Sequence, residues 1–561
     1  MQQTCAQCSA PFEITDDDLQ FYDKVSPVIG GKKFPVPAPT LCPSCRAQRR
    51  QAHFNYEFLY RRPSSKTGKQ IVSSISADKP YTVFEQEEWW KDDWDPMGFG
   101  KEFAPDTSVF SQMEALQRVV PMMSLVTDGN ENSEYVQYSG WDKNCYLCFC
   151  TDYSEDCMYT HSIYYAKNTL DCFMGDKLEL CYECVYCNEC HRVSYSQNCQ
   201  SCNDSWFLFD CQNCSDCFGC VGLRQKQYCF FNEELSKKDY EERCKEYPTD
   251  DHATKAKVEA KMTPLRKAHP CRATIGLQNE DCTGDYLFHC KHCKECFDCN
   301  ELEDSKHCNS MRGGSDCYDI SHWGHPAELC LECGGVGENA NRLLFCMCCW
   351  PNCSDLLYCS FCISCRDCFG CVGLRKKQYC IFNTQYDKET YETLVTQIIG
   401  SMTKQDEWGE YFPVTISPYA YNESVSQKYY PLSKEEIVER GWSWKDPEDA
   451  IPQVTKTIEG NMLPESIGDI PDDVLDWAIR CEVTSRPFKI LKQELQFYRD
   501  IGLPVPRIHP DERLLRRVAK RNPRKVLERT CAKCKKDIQT TYAPEKPETV
   551  YCETCYLNEV Y

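Results

Sequence analysis

The chain has 561 residues, 46 of them cysteine, and a net charge of −21 from 85 acidic and 64 basic side chains. Such a cysteine density marks a disulfide scaffold in a short secreted chain, but a chain this long has room for several domains with cores of their own. The acidic balance disfavours non-specific nucleic-acid binding unless the bases are gathered locally.

The first stretch, MQQTCAQCSAPFEITDDD (1–18), lacks the basic and apolar regions of a signal peptide, and no apolar run approaches the roughly 20 residues of a membrane span. This predicts a soluble, cytoplasmic protein with no membrane contact, whose thiols stay reduced. Cysteine then serves as a metal ligand, a small packing group or a redox group.

In chain order, the first candidate unit is an N-terminal module over 1–105. It carries two CxxC knuckles, Cys5/Cys8 and Cys42/Cys45, separated by 33 residues. Two such knuckles can present four thiolates tetrahedrally to Zn²⁺, and a site with all four positions filled is structural. The segment EEWWKDDWDPMGFG (87–100) reads as core and inter-domain packing, since Trp is generally well buried. A connector follows over 106–142.

Residues 145–380 hold 37 cysteines. The run C-x2-C-x2-C-x2-C occurs four times there: Cys181, Cys184, Cys187, Cys190; Cys211, Cys214, Cys217, Cys220; Cys290, Cys293, Cys296, Cys299; and Cys362, Cys365, Cys368, Cys371. CQNCSDCFGCVGLRQKQYCFFN (211–232) repeats as CISCRDCFGCVGLRKKQYCIFN (362–383) at an offset of 151. A duplication therefore divides the centre into wings at 143–242 and 287–393. Helical periodicity is absent, and short extended pieces alternate with turns, which predicts β-solenoid-like wings. Cysteines nine apart, such as Cys181, Cys190, Cys199 and Cys202, Cys211, Cys220, suggest coils in multiples of nine. Helices are expected at 234–246 and 386–400, a charged linker over 243–286, and a helix/loop connector over 394–475.

Three uses compete for the wing cysteines. The leading one is zinc bound by thiolates from adjacent rungs, with Cys199, Cys202 and Cys353 joining the four runs as ligands and His289, His292 and His307 as possible substitutes. The second is dry packing; it is weakened because residues three apart in a strand face opposite sides. The third is Fe–S clusters, against which no run ends in the x3-C-P of bacterial ferredoxins.

The C-terminal module, 476–561, carries Cys531/Cys534 and Cys552/Cys555 with a spacer of 17, close to the zinc-ribbon pattern. It also repeats the N-terminal module. PFEITDDDLQFY (11–22) matches PFKILKQELQFY (487–498) at offset 476, and Arg46 and Arg50 match Arg513 and Arg517 at offset 467. Cys5 matches Cys481, whereas Cys531, Cys534, Cys552 and Cys555 match Ser64, Thr67, Glu85 and Glu88. An ancestral module with two four-cysteine sites, each copy keeping one, accounts for this pattern. Residues 507–536 hold 12 bases against three acids. Arg513, Arg516, Arg517, Lys520, Arg521 and Arg524 are candidate contacts to RNA or DNA, or else a surface that docks on the acidic centre of the same chain.

No P-loop, GxGxxG, GxSxG or HExxH is present. The reading is a mainly β, non-enzymatic multi-zinc structural or interaction protein, with a protein partner or self-association as further options. A zinc store and a multi-cluster Fe–S electron carrier are the alternatives.

LCPSCRAQRR, PYTVFEQEEWWKDDWDP, NCYLCF, CFGCVGLRxKQYCxFN and CAKC…YCETCY resemble the long Cys-rich zinc-ribbon proteins of candidate-phyla (Patescibacteria-like) bacteria across nearly the whole chain. The resemblance implies a bacterial cytoplasmic origin and bound metal, and carries no activity with it.

Overall fold

The computed structural model describes residues 1–446 and 454–561, so part of the expected 394–475 connector lies outside the described residues. The protein is mainly β, and its centre is a parallel β-solenoid in two stacks. The first runs from Tyr135–Gln137 to Gln227–Phe230, the second from Gly276–Leu277 to Gln378–Ile381.

The coil is built from triplets. From Tyr138 to Asp216 every third residue has φ between +43° and +57°. This left-handed conformation suits Asn and Asp among non-glycine residues, yet Leu147, Tyr159, Met174 and Phe207 adopt it too. Each such corner turns the chain, and the residue after it points inward: Cys148, Thr151, Ser154, Cys157, Thr160, Ile163 and Ala166 are all at most 1% exposed. Four triplets close a coil, because parallel partners are twelve residues apart, as in His161↔Phe173 and Phe173↔Val185. In the second stack, Ser315↔Glu328 and Leu343↔Leu356 show coils lengthened to thirteen.

Two expectations are corrected. The coil is twelve residues rather than a multiple of nine; nine is three sides of a four-sided coil. Spacing three does not send neighbours to opposite faces, because the left-handed corner between them re-aims the next side chain inward.

Each wing ends in the same way. A hairpin (Gln227–Phe230 with Glu233–Glu234; Gln378–Ile381 with Thr384–Gln385) closes the last coil. A helix follows, Lys237–Cys244 or Lys388–Lys404, N-capped by Ser236 or Asp387. Turning the strand back covers an edge that would otherwise template pairing. The charged segment read as linker contains a 17-residue helix, His252–Ala268. Its sequence is rich in Ala, Lys and Glu, and Thr254, Val258 and Met262 bury one face at helical spacing.

The end modules cap the wing starts. Val83–Phe84 pairs in parallel with Met122–Met123 before the first wing, and Val550–Tyr551 with Cys271–Arg272 before the second. Duplication of the modules is visible element by element. Helices Asp16–Val25 and Lys492–Ile501 coincide at offset 476. Hairpins Tyr60–Pro63/Gln70–Ser73 and Leu527–Thr530/Asp537–Thr540 coincide at offset 467. Trp89 is 1% exposed and donates to the Pro121 carbonyl, as expected of a packing segment, while Trp90 is exposed.

Candidate metal centres

Each terminal quartet joins a hairpin knuckle to a helix start. Cys5 and Cys8 lie in the turn between strands Gln2–Thr4 and Pro11–Glu13, which closes with Ser9 N–H donating to Cys5 O. Ser9 is left-handed at φ +61°, as is Lys535 at +63° in the matching turn of Cys531 and Cys534. Cys42 and Cys552 are the N-caps of helices Pro43–Gln51 and Glu553–Val560, with Cys45 and Cys555 in the first turns. A helix N-terminus favours the thiolate.

In each quartet the four Sγ atoms lie within 4.8 Å of one another. Cys8–Cys42 is 3.7 Å and Cys534–Cys552 is 3.8 Å between sulfurs. A regular tetrahedron with metal–sulfur bonds of about 2.3 Å has edges of about 3.8 Å, so the donors fit an all-sulfur tetrahedral ion. Backbone N–H groups of Cys42 and Cys552 donate to Cys5 Sγ and Cys531 Sγ, both at 3.2 Å. Against a desolvation penalty, backbone N–H groups at Cys534, Cys552 and Lys533 hold the Cys531 thiol down at about 6. Both quartets could therefore hold a metal ion.

The lost sites keep their scaffold and change their chemistry. In the N-terminal module, Ser64 and Thr67 stand where the second site's knuckle cysteines would be, and both hydroxyls donate to the Glu85 carboxylate, Thr67 at 2.6 Å. Burial opposes ionisation of Glu85, but these two bonds hold its carboxyl below the usual range. Lys66 pairs with Glu88 at 3.0 Å. An O–H···carboxylate clip thus ties knuckle to helix where the other copy has four sulfurs. In the C-terminal module, Cys481 survives alone, in a turn closed by Ser485 N–H donating to Cys481 O.

The wing cysteines are placed differently. Cys181, Cys184, Cys187, Cys190, Cys199, Cys202, Cys211, Cys214, Cys217 and Cys220 face the interior of the first coil. Cys290, Cys293, Cys296, Cys299, Cys353, Cys362, Cys365, Cys368 and Cys371 face that of the second; all are buried. Their S–H groups reach the carbonyls two residues back and, for most, nine ahead; Cys181 makes both contacts at 3.4 Å, to Glu179 and Cys190. Among the described residues, only the two terminal quartets bring three or more such ligand atoms within 4.8 Å of one another. His289, His292 and His307 occupy left-handed corners, the positions between inward-facing residues, so they do not join the interior thiols as substitute ligands.

The basic residues next to the quartets are largely consumed within the chain. Arg513 and Arg517 donate to the two oxygens of Asp171 in the first wing at 2.6 and 2.7 Å. All three side chains are at most 3% exposed. The matching Arg46 and Arg50 clamp Asp319 in the second wing at 2.8 and 3.2 Å. Arg49 adds a pair with Glu332 at 3.0 Å. Arg521 and Arg524 share Asp298 in the second wing. Arg516 and Lys520 are exposed, Arg516 beside Glu512. So the N-terminal module caps the first wing and clamps the second. The C-terminal module caps the second and clamps both. The carboxylates Asp171, Asp298, Asp319 and Glu332 were not singled out in the sequence; the only signal was the arginine pair retained at offset 467.

Fold and site together define a cysteine-rich β-solenoid with a four-thiol centre at each end. The chain matches no protein-family model and no curated protein. Among solved structures, a putative acetyltransferase from Desulfovibrio desulfuricans G20 aligns at 8% identity over 47% of this chain and 70% of its own. Its TM-score of 0.09 carries no argument about fold or function. No described helix is long and apolar enough to cross a membrane.

Proposed function

We propose that each terminal quartet holds one Zn²⁺ in a closed structural site. The chain is then a non-catalytic structural or interaction protein, whose metal-clipped end modules lock two rigid coils into one body. The observation that carries this is that in each quartet four sulfurs lie within 4.8 Å of one another, with one edge at 3.7 or 3.8 Å, close to that of a tetrahedral tetrathiolate. The clamps extend it: the helix that Cys42 caps and Cys45 starts also carries Arg46, Arg49 and Arg50, so ordering the quartet orders the clamp. The interior thiols act as hydrogen-bond donors, which supports a reducing, cytoplasmic setting. The bacterial Cys-rich family that the motifs resemble points the same way. Because four of the six candidate contacts, Arg513, Arg517, Arg521 and Arg524, are spent on Asp171 and Asp298, a nucleic-acid partner is not part of this reading.

Substitution with Co²⁺ tests it. The protein should develop the visible ligand-field bands of tetrahedral tetrathiolate cobalt, with half the intensity lost in Cys534→Ser. Absence of these bands in the folded chain would refute the assignment.

A further inference from the structure

The quartets use eight cysteines; the wings contain most of the rest, and their arrangement has its own chemistry. In the first wing Cys190, Cys202 and Cys214, and likewise Cys187, Cys199 and Cys211, are buried inward residues one twelve-residue coil apart, and Cys217 is the direct register partner of Cys229. In the second, Cys333, Cys346, Cys359 and Cys371 stack one coil apart in the same way, and Cys368 is the register partner of Cys380. Such thiols issue from equivalent positions of successive coils, whose strands repeat at about 4.8 Å, and so form columns along the interior.

Among the described residues, no point in either wing brings three donors within 4.8 Å of one another. An ion that demands four ligands therefore finds no ready-made site there. A soft monovalent d¹⁰ ion is different: thiolates select it, and it accepts two of them in line. Two collinear bonds to sulfur span nearly the distance between stacked coils, so such an ion fits between two thiols without opening the coil. We propose that the interior columns of the wings take up Cu(I) as two-coordinate S–Cu–S bridges between successive coils. Each bridge forms two Cu–S bonds and breaks two S–H bonds, releasing both protons to solvent. Copper enters and stays as Cu(I), with no electron transfer. This does not rest on the zinc reading of the ends: the donors, the ion and the coordination number all differ.

The test uses the full-length zinc-loaded protein, handled anaerobically. One sample is titrated with Cu(I) buffered by bicinchoninate; another is purified from copper-supplemented cells, so that loading during folding is also read. Copper and zinc are counted on the same desalted material. The expected result is retained copper with zinc unchanged, and the red luminescence of solvent-shielded Cu(I)–thiolate. The double variant Cys202→Ser/Cys214→Ser interrupts one column; the coil already accepts Ser196 and Ser205 inside, both at most 1% exposed, so it keeps its fold. It should hold less copper and the same zinc. The proposal is overturned if neither sample retains copper except by displacing zinc, or if the double variant holds as much copper as the parent.

Discussion

Asp171→Asn is the sharpest probe of the clamps. Asp171 is fully buried, sits at a left-handed corner with φ +53°, and offers one oxygen to Arg513 and the other to Arg517. Asn is at ease at such a corner, so the substitution tests charge and acceptor count with little backbone strain. It removes the carboxylate charge and one acceptor while two guanidinium groups stay buried. Arg517 keeps the Tyr159 carbonyl at 3.2 Å, and Arg513 keeps Tyr498 Oη at 3.1 Å and Glu494 at 3.5 Å. Removing one partner of a buried ion pair costs about 3–5 kcal/mol, and the surviving contacts place this case near about 3. That is about a hundredfold in a local opening equilibrium. Native-state hydrogen exchange reads it directly: amides in helix Pro510–Ala519 should exchange about a hundredfold faster, while amides in the second wing's terminal helix should not change. Acceleration below about threefold would refute the idea that Asp171 holds the module.

Three further outcomes follow from the same geometry. Ser64→Cys/Thr67→Cys/Glu85→Cys/Glu88→Cys, made together, should rebuild the missing site and raise zinc by one ion per chain by elemental analysis; an unchanged zinc content in folded protein would disprove the shared scaffold. Asn213 is an exposed left-handed corner at φ +51°. Asn213→Val should cost about 1–2 kcal/mol by denaturant midpoint while Asn213→Gly stays near neutral, and equal effects would undo the triplet argument. Acid should loosen the other clamp: despite its burial, Arg46 and Arg50 hold Asp319 at about 2. An unfolded Asp titrates near 3.9, so the pair's contribution is complete above about pH 4 and is lost as pH falls towards 2. Asp319→Asn should flatten that limb of the pH–stability curve, and an unchanged limb would count against the assignment.

The duplications were legible because they survive as residue identity: the offset of 151 between wings and those of 467 and 476 between modules also relate the folded elements. The quartets were legible because four thiolates about one point need a fixed spacing. The coil length was hidden by local backbone conformation. A strand reads as period two, and nothing in residues such as Leu147, Tyr159 and Phe207 announces a left-handed corner, since their hydrophobicity suits packing as well as turning. Once every third residue turns the chain, the cysteines at spacing three fall on one interior. The clamps were half legible: the arginines stood out as a charge cluster, but their partners are single acidic residues at coil corners, indistinguishable in sequence from the many solvated ones. A basic run beside a metal knuckle invites a phosphate, and the long-range pairing that withdraws those charges appears only in the folded chain.

The most direct test of the central claim is the metal content of the intact chain, read by native mass spectrometry after anaerobic purification without added copper. Two zinc ions per chain, falling to one in Cys534→Ser and in Cys8→Ser and to none in the combined variant, are what closed sites at both ends require. A folded chain without zinc, zinc well above two, or iron in place of zinc would contradict it.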